Sequence, residues 1–248
     1  MKVIDILNYL DSVFPFENAC GFDNVGLLLG NKNSEITKAL ISLDCDDIAV
    51  KKALEEKAEL IITHHPVIFS GLKRITENEN VFKLIQNNIS VISLHTNLDF
   101  SIGGVNSCLA NALSIQNIEY ITLDDKVVLQ KGDISPISAD AFAKRLKATL
   151  GGNIKYVDGG IQISSVLICS GSGGEFLDVA INKNIDAFVT SEIKHHLFLE
   201  AKHSEISLFD AGHFNTEDVV IEPLKELLQN KFKDISFITN HNSAIKCI

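Results

Sequence analysis

Three short stretches of this 248-residue chain combine a histidine with a neighbouring histidine or carboxylate. They are the pair His64-His65, the string from His95 to Asp99 (HTNLD) and the string from His213 to Glu217 (HFNTE). Imidazole and carboxylate together form a ligand set that suits Zn, Mn, Fe or Co. A single histidine at a strand end is usually just a hydrogen-bonded polar group, so the hypothesis of a metal site depends on all three stretches together.

Each stretch follows an apolar run that predicts a buried strand. The predicted strands of the first half cover residues 27–30, 39–43, 60–63 and 91–94, and the predicted helices cover 3–14, 48–58, 81–88 and about 105–113. Either Asp46 or Asp47 can cap the second of these helices. Strands that alternate with helices indicate βαβ units and a mostly parallel sheet. Ligands bind such sheets beyond the carboxyl ends of the strands, where all three histidine stretches are expected.

The middle of the chain has a different pattern. Residues 120–130 predict a hairpin around Asp124-Asp125, and residues 154–164 predict a second hairpin around Asp158-Gly159-Gly160. Between them, a helix is predicted over 139–150, beginning after Ser138 and ending at Gly151-Gly152.

The βαβ pattern then returns as an internal repeat. Shifting the sequence by 127 places residues 39–63 on residues 166–190 without a gap. Each half then continues to a strand that leads into a histidine followed four residues later by a carboxylate. In the second half we expect Asn215 or Thr216 to cap the next helix, with Glu217 in its first turn. A duplicated α/β unit is therefore predicted.

The composition excludes several classes of protein. With 22 Lys+Arg against 32 Asp+Glu, the net charge of −10 argues against nucleic acid and against an anionic membrane surface as partners. The five cysteines are widely spaced and form no CxxC pair, which favours inert thiols in a reducing compartment. The N-terminus lacks the pattern of a signal peptide, and no apolar run reaches the ~20 residues of a membrane span. We therefore expect a cytoplasmic protein.

Four strings in order along the chain carry a family resemblance: DNVGLLLG (23–30), IITHHPVIF (61–69), SLHTNLDF (93–100) and GHFNTE (212–217). Together they resemble the GTP cyclohydrolase 1 type 2 homologue family, dinuclear-metal proteins related to the NGG1p-interacting factors. The resemblance covers essentially the whole chain.

That resemblance implies an α/β fold of two intertwined, duplicated halves with mixed sheets in α/β/α layers. The halves would be residues 1–118 and 119–248, with the C-terminal segment packing back on the first, and six chains would form a ring-shaped homohexamer. Each subunit would bind two divalent ions (Zn, Fe, Mn or Co). The implied ligands are His64, His65, Asp99, His213 and Glu217, with Glu217 chosen as the bridging carboxylate.

The family name also implies a reaction, the opening of the GTP ring system to give formate and dihydroneopterin triphosphate. In that reaction His95, close to the metals, or Glu192 would move protons. Two alternatives remain open. The chain could hydrolyse another small molecule, such as a different nucleotide or a phosphoester, or it could be a non-catalytic metal-binding or interaction protein.

The sequence departs from the family pattern at three places. Phe22 replaces the usual Trp, Phe214 replaces a Tyr, and Thr190-Ser191-Glu192 lacks the glycine of the family's TG[DE] string. The first two keep an aromatic residue at the edge of the site. The third puts the local backbone shape and the fit of the substrate in doubt, while leaving the metal ligands unchanged.

Several other residues allow either a functional or a structural interpretation. Gly171–Gly174 could hold a phosphate at a helix N-terminus, although a tight turn is the simpler interpretation. His195 and His196 could reach the site or lie on the surface, whereas His203 and His241 are expected to be structural. Asn24 and Asp44 are candidate hydrogen-bond partners of the ligating histidines.

Overall fold

The computed structural model describes residues 1–77, 79–123 and 126–246. The helices are α1 (Val3–Val13), α2 (Asp47–Glu56), α3 (Asn80–Gln86), α4 (Thr96–Asp99), α5 (Val105–Ala112), α6 (Ala139–Leu150), α7 (Leu177–Asn182), α8 (His195–His203), α9 (His213–Glu217) and α10 (Ile221–Lys231). The strands are β1 (Gly26–Leu29), β2 (Lys38–Ser42), β3 (Leu60–Thr63), β4 (Ser90–Ser93), β5 (Gln116–Leu123), β6 (Val127–Ile137), β7 (Lys155–Val157), β8 (Ile163–Ile168), β9 (Ala187–Thr190), β10 (Ser207–Asp210) and β11 (Ser236–Asn240). Among the described residues, no helix has both the length and the apolar character needed to cross a bilayer.

The chain forms two compact units. The first contains Met1–Asp99 and Ile221–Lys246, and the second contains Phe100–Val220. The chain therefore leaves the first unit after α4 and returns to it with α10. These units differ from the predicted halves, 1–118 and 119–248. Helix α5 belongs to the second unit because Leu109 and Leu113 are buried in that unit's core.

The first unit contains a five-stranded sheet in the order β1-β4-β3-β2-β11. Strands β4, β3, β2 and β11 are parallel, and β1 is antiparallel to β4 at the edge. Every residue of β3 is buried, as expected for a central parallel strand. Helix α2 packs Ala49, Val50 and Ala53 against this sheet, and its cap is Asp46, whose carboxylate accepts the Ala49 N–H at 2.8 Å.

The second unit contains a six-stranded mixed sheet in the order β5-β6-β8-β9-β10-β7. Strands β8, β9 and β10 are parallel, while β5, β6 and β7 run antiparallel to their neighbours. The first predicted hairpin is formed by β5 and β6, with Leu123 opposite Val127. Its predicted turn, Asp124-Asp125, lies outside the described residues.

The second predicted hairpin is wrong. Strand β7 pairs with β10 and β8 pairs with β6 and β9, so the two predicted partners lie three strands apart. Strand β8 is rich in buried apolar residues and takes an interior position, whereas β7 is short, largely exposed and suited to an edge. The Asp158–Gly160 segment does not close a hairpin but begins the connection from β7 to β8. Within it, the Gly159 N–H donates to Ser207 Oγ at 3.1 Å.

The predicted repeat is visible in the topology. The series β2-α2-β3-α3-β4 of the first unit matches β8-α7-β9-α8-β10 of the second. The three strands lie in the same spatial order in both sheets, with the middle strand of the series between the other two. The predicted α/β fold class, with two similar halves and mixed sheets, is therefore confirmed.

Candidate metal centre

Three imidazoles of the first unit lie together at one edge of its sheet. His64 and His65 directly follow β3, and His95 follows the neighbouring parallel strand β4 after one residue. Parallel neighbours end at the same edge, which is why two distant sequence stretches meet. The ring centroids are 4.8 Å apart for His64 and His65, 5.2 Å for His64 and His95, and 5.6 Å for His65 and His95. One nitrogen from each ring lies within 4.8 Å of the others, a group that could hold a metal ion.

Hydrogen bonds determine which nitrogen of each ring is available. Each ring uses Nδ1 for a bond of 2.8 Å: His64 to the Leu94 carbonyl, His65 to Asp44 Oδ1 and His95 to Asp23 Oδ1. A carbonyl or an ionised carboxylate only accepts, so Nδ1 carries the proton and Nε2 carries the lone pair. Ligating histidines in metalloproteins are oriented in this way, with an acceptor behind the ring.

Asp23 is the most constrained of these acceptors. Its side chain has no exposed surface, and its second oxygen accepts the Thr96 N–H at 3.0 Å and the Thr96 hydroxyl at 2.6 Å. Burial by itself would raise the pKa of Asp23, but the hydrogen bonds from His95 and Thr96 outweigh it and hold the pKa well below its usual range. Asp23 is therefore ionised at neutral pH and fixes the His95 ring.

The sequence motifs indicate Asn24, and not its neighbour Asp23, as a partner of the histidines. The Asn24 side-chain amide donates to the Ile68 carbonyl at 2.6 Å. This bond links two loop segments and does not involve a histidine. Asp44, the other predicted hydrogen-bond partner of the histidines, bonds to His65 as expected. The feature of the sequence that points to Asp23 is its position as the first residue of the DNVGLLLG string.

Asp99 completes the group in the first unit. It ends the single-turn helix α4, and its Oδ1 is 3.5 Å from His64 Nε2. Two donor atoms bound to one tetrahedral ion, each at about 2.1 Å, lie about 3.4 Å apart. The spacing of these two atoms therefore fits a shared metal ion.

The second unit carries the other two predicted ligands on one short helix. His213 and Glu217 are the first and last residues of α9, and His213 Nε2 lies 3.0 Å from Glu217 Oε1. A spacing of four residues places both on one helix face. The His213 Nδ1–H donates to Glu192 Oε1 at 2.9 Å, so in this ring too Nε2 is the nitrogen that can bind a metal ion.

The predicted cap of α9 is wrong. The helix begins one turn earlier than expected, with Gly212 as its N-cap at φ +84°. Neither expected cap residue plays that role, because the Asn215 amide donates to the Leu150 carbonyl and the Thr216 hydroxyl bonds to the Gly212 and His213 carbonyls. As a result, Glu217 lies at the end of the helix and is buried.

Gly171 makes room for Glu217. It has φ +61°, and a Cβ at this position would overlap Glu217 Oε1 and approach His213 Nε2 to 3.4 Å. The Gly171 N–H donates to Thr216 Oγ1, and the Gly173 N–H donates to Thr190 Oγ1. Because these two amides bond within the unit, and because the helix that follows has only six residues, the tight-turn interpretation of Gly171–Gly174 is favoured over a phosphate site.

Glu192 borders a pocket of the second unit. Its backbone is left-handed, with φ +54°, at the position next to the missing family glycine. The pocket has a volume of about 320 Å³ and is lined by Ser172, Gly174, Glu175, Glu192, Lys194, His196 and Leu197. Glu192 thus contacts His213 on one side and an open cavity on the other.

The remaining histidines have simpler environments. His195, His196 and His203 are exposed on α8, and of the three only His196 lines the pocket. His241 follows β11 in the first unit and bonds through Nε2 to Glu222 Oε1 at 3.0 Å, which is a structural contact as expected.

The cysteines behave as ordinary apolar residues. Cys20, Cys45 and Cys108 are free thiols, the Cys169 thiol donates to the Ser170 carbonyl, and Cys247 lies outside the described residues. Burial raises the pKa of Cys45 to about 12 and that of Cys108 to about 11, so these two thiols stay protonated and unreactive at neutral pH.

The fold and site together define a class of protein: an α/β protein whose strand ends carry histidines and carboxylates able to bind a metal ion. The chain belongs to the Duf34/NIF3 (NGG1p interacting factor 3) family, whose model matches residues 1–244. The family resemblance predicted from the four strings is confirmed.

Individual relatives agree over nearly full length. The chain is 31% identical to the GTP cyclohydrolase 1 type 2 homolog of Clostridium perfringens, over 97% of this chain and 96% of the relative. It is 35% identical to the homolog of the same name from Campylobacter jejuni, over 93% of each. A crystal structure of a hypothetical protein from Staphylococcus aureus superposes with a TM-score of 0.92 at 30% identity, covering 100% of this chain and 99% of that one.

Proposed function

We propose that this protein is a dinuclear-metal-dependent hydrolase that opens the ring system of GTP to give formate and dihydroneopterin triphosphate. The observation that carries the proposal is the shared orientation of four imidazoles. His64, His65, His95 and His213 each donate Nδ1–H to an oxygen acceptor, so Nε2 of each ring is the nitrogen that can bind a metal ion. The name shared by the curated relatives suggests the substrate.

The proposed ligands of the two ions are His64, His65, Asp99, His213 and Glu217, with Glu217 as the bridging carboxylate. This assignment follows the family resemblance in joining the ligands of both units in one centre. Imidazole and carboxylate oxygen suit Zn, Fe, Mn or Co, so the donor set leaves the metal open. When bound, two such ions would polarise the substrate and lower the pKa of a water molecule.

His95 is the proposed proton carrier. Ring opening by water requires a base for the attacking water and an acid for the departing ring nitrogen. His95 Nε2 can do both in turn, because Asp23 holds its Nδ1 proton and can stabilise the imidazolium when it forms. Glu192, next to His213 and bordering the pocket, is the proposed second acid or base.

The proposal includes a cytoplasmic location, with reduced thiols, and a ring-shaped homohexamer. Both come from the sequence and the family resemblance. A monomeric mass measured by light scattering would contradict the proposed hexamer and leave the proposed reaction untouched.

The direct test is product formation by metal-reconstituted protein. Incubation of GTP with protein loaded separately with Zn, Mn, Fe or Co should release formate and dihydroneopterin triphosphate, identified by mass spectrometry, and chelation should abolish the release. His95→Gln should lose most of the activity, whereas His203→Gln, an exposed position on α8, should retain it.

Other outcomes select the alternatives. Turnover of a different nucleotide or a phosphoester in a parallel screen would keep the hydrolase class and replace the substrate. If metal-loaded protein consumes none of them, the protein is better described as a metal-binding or interaction protein, as the name of its family suggests.

A further inference from the structure

We propose that Phe22 and Phe69 form an aromatic platform beside His95 that stacks a planar heteroaromatic ring of the substrate. This inference rests on the proposed function and specifies how the same site recognises its ligand. It assigns a binding role to two residues outside the metal-ligand set.

The two rings are exposed to an unusual degree for such large apolar side chains. Phe22 is 68% exposed and Phe69 is 53% exposed. Their centroids are 6.4 Å apart and their planes are tilted by 50°, so the two rings adjoin, and a flat ring that stacks on one of them would meet the other at an angle. Two adjacent exposed aromatic residues form a patch of apolar surface, which is the kind of surface on which a ligand can pack.

The platform adjoins the imidazole group. The ring of Phe69 lies 6.2 Å from that of His95, with their planes 82° apart, so the two rings meet edge to face. A ring that stacks on the platform would therefore bring its edge close to His95, whose Nε2 can accept or donate a hydrogen bond. A ligand with a flat π-face and a polar edge, such as a purine, matches both surfaces.

The backbone holds the platform in place. Asn24, two residues after Phe22, donates its amide to the carbonyl of Ile68, the residue before Phe69, at 2.6 Å. Asp23, the residue after Phe22, is anchored by His95 and Thr96. Both aromatic residues therefore extend from segments that are bonded to each other and to His95, and a ligand would find the platform formed in advance.

A tryptophan at position 22 tests this proposal, because the chain contains no tryptophan. The side chain at position 22 is 68% exposed, so the larger indole ring is expected to be tolerated. In zinc-reconstituted Phe22→Trp protein, guanosine should quench the fluorescence saturably and ribose should not. Adding Phe69→Ala in the same background should weaken guanosine binding at least tenfold.

A reporter elsewhere controls for absorbance by guanosine. Tyr120 is exposed on β5 of the second unit, and Tyr120→Trp protein should show only the non-saturable loss of signal. The proposal is overturned if guanosine does not quench Trp at position 22, if ribose quenches equally, or if Phe69→Ala weakens guanosine binding by less than tenfold. It is also overturned if Phe22→Ala with Phe69→Ala changes only the oligomer mass, which would make the platform an interface between copies.

Metal content measured on the same samples separates the two proposals. Bound zinc without quenching contradicts the platform and leaves the hydrolase proposal standing. A chain that binds no metal contradicts the hydrolase proposal, whatever the fluorescence shows.

Discussion

The two units hold a histidine by the same hydrogen bond in opposite surroundings. In the first unit, His95 donates to Asp23 at 2.8 Å, and the Asp23 side chain has no exposed surface. In the second, His213 donates to Glu192 at 2.9 Å, and the Glu192 side chain is 57% exposed. Water screens the second pair but not the first, so nearly equal distances conceal different energies.

This difference indicates that the two histidines are held with different rigidity. Asp23 accepts four hydrogen bonds, from His95, from the Thr96 amide and hydroxyl and from the Asn24 backbone amide, and keeps His95 fixed before any ligand arrives. Glu192 borders a pocket and its side chain is largely exposed, so fewer contacts hold it in place. The histidine of the first unit is therefore held rigidly, whereas the histidine of the second unit is held by an exposed partner.

The largest expected effect compares the two carboxylates directly. In chelated protein, Asp23→Ala should lower the free energy of unfolding by about 3–5 kcal/mol, because it leaves buried donors without their acceptor. Glu192→Ala should lower it by less than about 1 kcal/mol, because its pair is exposed. Urea unfolding measures both, and equal losses would contradict the comparison.

The next effect concerns the crowding around Glu217. Gly171→Ala adds a Cβ that overlaps Glu217 Oε1 and strains a left-handed backbone. Gly103 is the matched control, since it has φ +81° with no atom within 4 Å of its Cβ position. We expect Gly171→Ala to cost about 1–3 kcal/mol more than Gly103→Ala in urea unfolding, and to weaken metal binding as well. Equal costs would show that only the backbone angle matters.

The pH dependence of stability should also reveal Asp23. Its pKa is lower in the folded chain than the value of about 3.9 in an unfolded chain, so its ionised form favours folding. That contribution is complete above about pH 5 and is lost as the pH falls, by up to about 1.4 kcal/mol per pH unit. The difference in stability between wild type and Asp23→Asn should therefore shrink below about pH 4. A difference that stays constant down to pH 3 would show that folding does not lower the pKa of Asp23.

The smallest effect on stability is expected at Asp44. Its side chain is 47% exposed, so Asp44→Asn should change the free energy of unfolding by less than about 1 kcal/mol. The same change should weaken metal binding by about 10–100-fold, because His65 loses the acceptor that orients it. Glu226→Gln, on an exposed position of α10, is the control and should leave metal affinity unchanged.

Local patterns predicted most of the elements. The β3 strand matches its predicted range, helix α6 begins after Ser138 as predicted, and the 127-residue repeat reappears in the sheet order. Apolar periodicity and capping residues are properties of a few consecutive residues, so one sequence suffices to detect them. The pairing of β7 with β10 could not be found in this way, because it depends on competition between strands for the interior of a sheet.

The sequence predicted which residue types could bind a metal ion, but not which residues hold the histidines and Glu217 in position. His64, His65 and His95 could be placed at one edge because neighbouring parallel strands end together. The bond from His95 to Asp23 spans 72 residues, and the close approach of Gly171 to Glu217 spans 46. Nothing in the local sequence encodes either contact, so only the folded chain shows which residues hold the imidazoles in position.

Metal content per chain tests the central claim most directly. Reconstituted wild-type protein should carry close to two divalent ions per chain by elemental analysis, and the His64→Ala/Asp99→Ala double variant should lose them while keeping its circular dichroism spectrum. His203→Ala should still carry two. A wild-type chain that folds but cannot be loaded with Zn, Mn, Fe or Co would contradict the account.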